Sequence, residues 1–335
     1  MNNTDQKYTK FALCREMLET SQVLEKMDPE VVDPFVDAVR QTKNILITGE
    51  GSSRIFPAKH FRYQLLSQGI DYNVVIEGAT QAVEYKLEEY AVFGVSNSGK
   101  TKELVGLFSS LKENGHSSFF GITVTANTPV ANWPIASLVL SCGAENAVAA
   151  TKSVAEQAMI FDLLLNKVFN RPLPSFNELS VKINETLTMN IDQEIVRLMR
   201  NSPVVYFAGR NDGVAEELAL KTNEITRKRS DYLEGTYALH GIEEVMNAGE
   251  VLVVIDPFEQ EEAKFKSVLV DGVGVHVIAI SSRKTIFPTI QIPDASTFKN
   301  YLELTAGWNL LVEVGIALGI DLDKPVRARK IGNEA

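Results

Sequence analysis

One pattern of strand, loop and helix occurs twice in this chain, 160 residues apart. Asn44-Ile45-Leu46-Ile47-Thr48 runs into Gly49-Glu50-Gly51-Ser52-Ser53, and a helical pattern follows over about 55–66. Val204-Val205-Tyr206-Phe207-Ala208 runs into Gly209-Arg210-Asn211-Asp212-Gly213 and another helical pattern. Gly49 and Gly209 differ by 160 positions, as do Ser96 and Asp256, each of which follows a further apolar run. Val275–Ile280 then matches the run near Ile122 to within a few residues. Self-similarity over this length indicates a duplicated structural unit. Short apolar runs alternating with helical patterns indicate parallel strands covered on both faces. The expected fold class is therefore α/β, with two tandem doubly wound parallel sheets, each in three αβα layers.

The expected organisation is N-terminal helices over 1–40, a first α/β domain over 41–170, and a linker helix over 171–195. A second α/β domain follows over 196–322, then a tail over 323–335. Pro29 and Pro34 punctuate the first helices, and Arg171-Pro172-Leu173-Pro174 opens the linker.

Composition excludes several classes. With 335 residues there is ample length for two cores. A net charge of −10 argues against nucleic acid as a partner. No apolar run reaches the roughly 18 residues of a membrane span, and the polar N-terminus lacks a signal-peptide core. Cys14 and Cys142 show neither metal-ligand nor redox spacing, which fits a reduced cytoplasmic setting.

The segment Val95-Ser96-Asn97-Ser98-Gly99-Lys100-Thr101 sits between an apolar strand pattern and an amphipathic helix pattern. Free N–H groups at a helix start, with several hydroxyls beside them, form a seat for a phosphate. A single Ser here would be an ordinary helix cap; four hydroxyl or amide residues within six positions favour the anion. The spacing is not that of a P-loop. The Gly49-x-Gly51 turn lacks the rest of a dinucleotide fingerprint, so no NAD is expected. The corresponding loop of the second repeat, Asp256-Pro257-Phe258-Glu259-Gln260, is acidic and would repel phosphate. Phosphate recognition is thus expected in the first repeat only.

Several segments, in order, resemble the tandem sugar-isomerase (SIS) domain family, in particular the isomerase half of glucosamine-6-phosphate synthases. Besides the two loops, Ala149-Ala150-Thr151-Lys152 is similar to the family's A-S-T-K segment. Ala219-Leu220-Lys221-Thr222-Asn223-Glu224 is similar to its A-L-K-L-K-E helix, and His240-Gly241 to its H-G-P. Asp323-Lys324-Pro325-Val326-Arg327-Ala328-Arg329-Lys330 is similar to its C-terminal tail.

The resemblance implies that Gly51, Ser52, Ser53, Ser96, Asn97, Ser98 and Thr101 hold the sugar phosphate, with Ala150 and Lys221 also at the substrate. It implies that Glu224 moves a proton between C1 and C2, that His240 assists ring opening, and that Lys330 acts near the carbonyl carbon. Ala150 stands where the family has serine, Asn97 where it has glutamine, and Ile242 where it has proline. These departures bear on the substrate rather than the reaction class. Cys14 lies within a helical pattern, so ammonia release from glutamine is not expected.

The reading that follows is a cytoplasmic isomerase or deaminase acting on a hexose 6-phosphate or aminosugar 6-phosphate, with no metal or organic cofactor and no membrane partner. A deglycase of a glycated amine and a non-catalytic sugar-phosphate sensor are the alternatives. The family also implies a homodimer with shared sites, and the apolar run Leu233–Leu239 before His240 suggests a loop buried by a partner subunit. Taken on the residues alone, Lys221 and Glu224 form a surface i,i+3 ion pair of small worth. His60, His116 and His276 are expected to be structural. Arg227-Lys228-Arg229 is expected to be a solvated face or a dimer contact.

Overall fold

The computed structural model describes all residues except Pro174, 296–297, 328–333 and 335. The described chain divides into two compact units, each built on one five-stranded parallel sheet. One unit contains Gln22–Glu145 and Ala150–Phe176; the other contains Met1–Ser21, Asn146–Ala149 and Asn177–Val326. The N-terminal helical region is therefore split at Ser21. Its first part belongs with the second sheet, where the Met1 ammonium donates to Leu187 O and Asn309 Oδ1, both at 3.0 Å.

The first sheet has β1 (Asn44–Gly49), β2 (Asn73–Glu77), β3 (Ala91–Ser96), β4 (Phe119–Thr123) and β5 (Ala136–Val139), in spatial order 2-1-3-4-5. The second has β6 (Val204–Gly209), β7 (Arg229–Glu234), β8 (Val251–Ile255), β9 (His276–Ser281) and β10 (Thr289–Gln291), in order 10-9-8-6-7. With β6 equated to β1 and β7 to β2, the two orders are identical. The duplication expected from the 160-residue spacing is thus a duplication of topology, and the α/β fold class stands.

The central strands owe their apolar composition to burial on both faces. Alternate residues of β3 divide between two cores. Val92 packs with Leu104, Leu107 and Phe108 of the helix Lys102–Glu113. Phe93, its neighbour, packs edge-to-face with Phe35 and Phe161 and tilted against Phe120, at centroid distances of 5.0–5.8 Å. In the second sheet, Tyr206, Leu252, Val254 and Val277 form one core with Phe265 and Leu269.

The helix Lys299–Ala317 carries a carboxyl into the second unit's interior. Glu303 is 1% exposed, and its nearest cation, Lys299 Nζ, is 3.8 Å away. Burial raises its proton affinity well above the ordinary carboxylate value; Asp212 and Asp256 add to this, while Lys299 and Arg210 oppose it. Below the ordinary carboxylate range Glu303 is protonated whether folded or unfolded. Above it the unfolded chain gives up the proton first, so stability falls with pH until the raised folded value is passed. Glu303→Gln should remove this component, whose slope is at most about 1.4 kcal/mol per pH unit. Urea unfolding of both proteins between about pH 5 and about pH 8 checks it; parallel pH profiles would exclude Glu303 as the source.

Candidate functional site

In a 2-1-3-4-5 sheet the connections leaving β1 and β3 depart to opposite faces. A crevice opens between them at the carboxyl ends of the strands, and such sheets bind ligands there. Here that crevice is bordered by Gly49–Ser53 and Ser96–Thr101. Close backbone approach shapes it: a Cβ on Gly49 would lie 2.5 Å from Val95 O, and one on Gly99 would lie 2.1 Å from Thr128 Oγ1. Gly99 also has φ +67°, which a side chain would strain.

The hydroxyls here bond within the loop itself. Ser96 Oγ is buried, accepts from Gly99 N at 3.1 Å and lies 2.8 Å from Thr101 Oγ1. Ser98 Oγ accepts from Lys100 N at 3.2 Å. Ser96 and Ser98 thus fold the loop that begins the helix Lys102–Glu113. Thr101 is that helix's N-cap residue but makes no side-chain cap; its hydroxyl meets Ser96 Oγ instead of the helix backbone. Across the crevice, Gly51–Ser53 form one 3₁₀ turn with Ser52 and Ser53 buried. Glu50 is directed to the helix Ala79–Ala82, where it accepts from Ala79 N at 3.2 Å. Glu334, near the C-terminus, forms an isolated antiparallel bridge with Thr101.

Asn97 faces its own unit. Its Nδ2 donates to Ser153 Oγ at 2.8 Å, and its Oδ1 accepts from Gln157 Nε2 at 2.7 Å. Ser153 Oγ in turn donates to Glu145, which also accepts from Thr151 N at 2.7 Å and Thr151 Oγ1 at 2.9 Å. This buried network ties the loop after β3 to the start of the helix Lys152–Val168, next to Ala150. Glu145, Ser153 and Gln157 carry no motif of their own in the sequence. Ser153 lies directly after the Ala149–Lys152 segment, the one signal that could have pointed to it.

In the second unit the helix Val214–Lys221 continues into a π-helical turn, Thr222–Thr226, that carries Glu224. Such turns re-aim side chains and recur at functional sites. Lys221 is fully buried, with Nζ 2.8 Å from Glu224 Oε2 and 3.2 Å from Glu217 Oε1; Glu217 is also fully buried, while the Glu224 side chain keeps 26% exposure. The surface ion pair expected from residue spacing is corrected on this point. Burial alone would lower the Lys221 proton affinity, but Glu224 and Glu217 outweigh it and hold it above the ordinary lysine value.

His240 is exposed and follows a 3₁₀ turn, Tyr237–Leu239; its Nε2 is 3.5 Å from Thr236 Oγ1, the far limit of a hydrogen bond. Leu233, Ala238 and Leu239 are buried in the second unit's own core. No partner is needed to cover them, and that argument for a dimer falls. Lys330 lies outside the described residues. Among the other histidines, His60 is buried against Asp162 at 3.1 Å, His116 bonds Tyr90 O at 3.1 Å, and His276 is exposed at the start of β9. In the basic run Arg227 and Arg229 are exposed, as on a solvated face, while Arg227 Nη2 donates to Asp321 O at 2.9 Å and Lys228 Nζ to Ser202 O at 2.6 Å. Among the described residues no helix is long and apolar enough to cross a membrane.

Residues 38–167 match the family model described as SIS domain. This part of the chain is a SIS domain. The crevice bordered by Ser96–Thr101 lies within it, and the second sheet repeats its strand order, so the chain carries two such α/β units in tandem. Comparison with curated protein sequences gives no match. Solved structures of similar fold include the C-terminal domain of glucosamine-fructose-6-phosphate aminotransferase from Francisella tularensis. It is 18% identical with TM-score 0.77, over 96% of this chain and 100% of that one. Tagatose-6-phosphate ketose/aldose isomerase from Escherichia coli is 16% identical with TM-score 0.81, over 96% and 98%. Glucosamine-6-phosphate deaminase from Thermotoga maritima is 21% identical with TM-score 0.72, over 95% and 98%. At these identities the likeness is one of fold, and it extends beyond the SIS domain to nearly the whole chain.

Proposed function

We propose that this protein is a phosphosugar isomerase or aminosugar-phosphate deaminase whose SIS domain holds the phosphate of a hexose 6-phosphate. The observation that carries this reading is the hydroxyl-rich Ser96–Thr101 loop at the carboxyl edge of β3, where the fold puts its ligand crevice. Its hydroxyls and open backbone N–H groups suit a phosphate. The structural neighbours bear the names of enzymes of 6-phosphosugars, which supports the same class.

In this reading Glu224 is the base that carries a proton between C1 and C2 of the open-chain sugar, held by Lys221 on a turn that exposes one carboxylate edge. His240 assists ring opening, and Lys330 acts near the carbonyl carbon. These roles, and a homodimer that shares them across a two-fold axis, rest on the family resemblance. Ala150, lacking a hydroxyl, favours a sugar that differs near that position from the aminotransferase's own.

The test is a panel of 6-phosphosugars, with and without 2-amino groups and including glycated amines, followed for ketose, ammonia and released amine. Ser98→Ala combined with Thr101→Ala should raise KM for the active sugar more than it lowers kcat, because ground and transition states both hold the phosphate. An unchanged KM would move the phosphate away from this loop. No turnover of any 6-phosphosugar, with binding retained, would leave a sensor rather than an enzyme.

A further inference from the structure

The two sheets share one topology, so the second also has a crevice at its carboxyl edge, between the loops after β6 and β8. Its contents differ. Asp256, the residue after β8, stands where Ser96 stands in the first sheet, and its backbone is left-handed with φ +41°. Its carboxylate accepts from Arg210 Nη1 at 2.7 Å and from Ser281 Oγ at 3.3 Å, and it is also paired with Lys299 Nζ. Two cations and a hydroxyl thus converge on one carboxylate, which is only 12% exposed.

The geometry points to a second oxyanion cradle in this chain, one that the protein fills with its own Asp256 carboxylate. The acidic loop does not simply repel phosphate. It supplies the anion that Arg210, Lys299 and Ser281 surround, at the place where the fold seats a ligand. The donors are organised apart from that carboxylate. Arg210 Nη1 also bonds the Asp256 backbone oxygen at 2.6 Å, and the guanidinium stacks over Phe258 at 4.3 Å. Lys299 is the first residue of its helix, and its ammonium also lies 3.8 Å from Glu303 Oε1. Two further carboxyls face the group. Burial favours the neutral form of Glu303, and Asp212 is engaged by Val214 N at 3.1 Å and Asn300 Nδ2 at 2.7 Å. Removal of the Asp256 carboxylate leaves a fork and an ammonium suited to a tetrahedral oxyanion.

This inference does not depend on the sugar-phosphate reading of the first loop, because its measurement is a difference between variants. Asp256→Gly suits the positive φ and empties the seat. Equilibrium dialysis with radiolabelled inorganic phosphate should show one more phosphate bound per chain than in the wild type. The added Arg210→Ala should abolish that gain. Should the glycine variant fail to fold, Asp256→Ala carries the same test, since a methyl group also leaves the seat empty. A folded Asp256 variant, judged by circular dichroism, that binds phosphate with wild-type stoichiometry would overturn the proposal. So would a gain that survives Arg210→Ala.

Discussion

Glu224→Gln is expected to leave sugar-phosphate binding near the wild-type level and to abolish proton exchange at C2 of the bound sugar. Glutamine keeps the shape of the side chain and can still meet Lys221, whose ammonium also pairs with Glu217 at 3.2 Å. The substitution therefore removes a proton acceptor with little disturbance of the turn. General-base catalysis is worth about 10²–10⁴-fold, so exchange measured as deuterium wash-in from heavy water should fall by that factor. If the phosphate is held by the Ser96–Thr101 loop, KM should scarcely move, opposite to the Ser98 and Thr101 double variant. Exchange at the wild-type rate would remove Glu224 from the proposed mechanism and leave the phosphate assignment standing.

How far the sequence could be read depended on whether a contact is local. The fold was legible because the strands are buried on both faces and so are nearly continuous apolar runs, and because their spacing recurs. The Ser96–Thr101 loop was legible because strand, loop and helix start adjoin in the chain. The network behind it was not. Asn97 meets Ser153 and Gln157 across 56 and 60 positions, and no local pattern marks such a pairing. Lys221 and Glu224 show a different limit: an i,i+3 spacing places two side chains on one helix face without saying whether that face meets water. The loop before His240 failed for a related reason. Apolar residues there signalled burial, but composition does not say by what, and Leu233, Ala238 and Leu239 turned out to fill their own core. In the sequence Asp256 shows only a repulsive charge, because its partners Arg210, Ser281 and Lys299 come from three separate elements.

The burial of Lys221 makes its replacement a strongly damaging change to the stability of the second unit. Lys221→Met preserves the stem of the side chain and deletes the ammonium. Glu217, fully buried on the preceding helical turn, would then sit in the interior without that charge, and Glu224 would lose its 2.8 Å partner. Breaking a buried pair by removing one partner costs about 3–5 kcal/mol, because the surviving charge is left desolvated. An exposed pair at the same spacing is worth about 0–1 kcal/mol, so the two descriptions of this lysine differ by a measurable margin. Urea unfolding followed by circular dichroism reads it, and the double variant Lys221→Met with Glu217→Gln separates the causes. If the penalty comes from the stranded Glu217 charge, neutralising that carboxyl should return much of the lost stability. A Lys221→Met loss within the surface range, or a double variant no more stable than the single, would mean that Lys221 does not hold this turn through its charge.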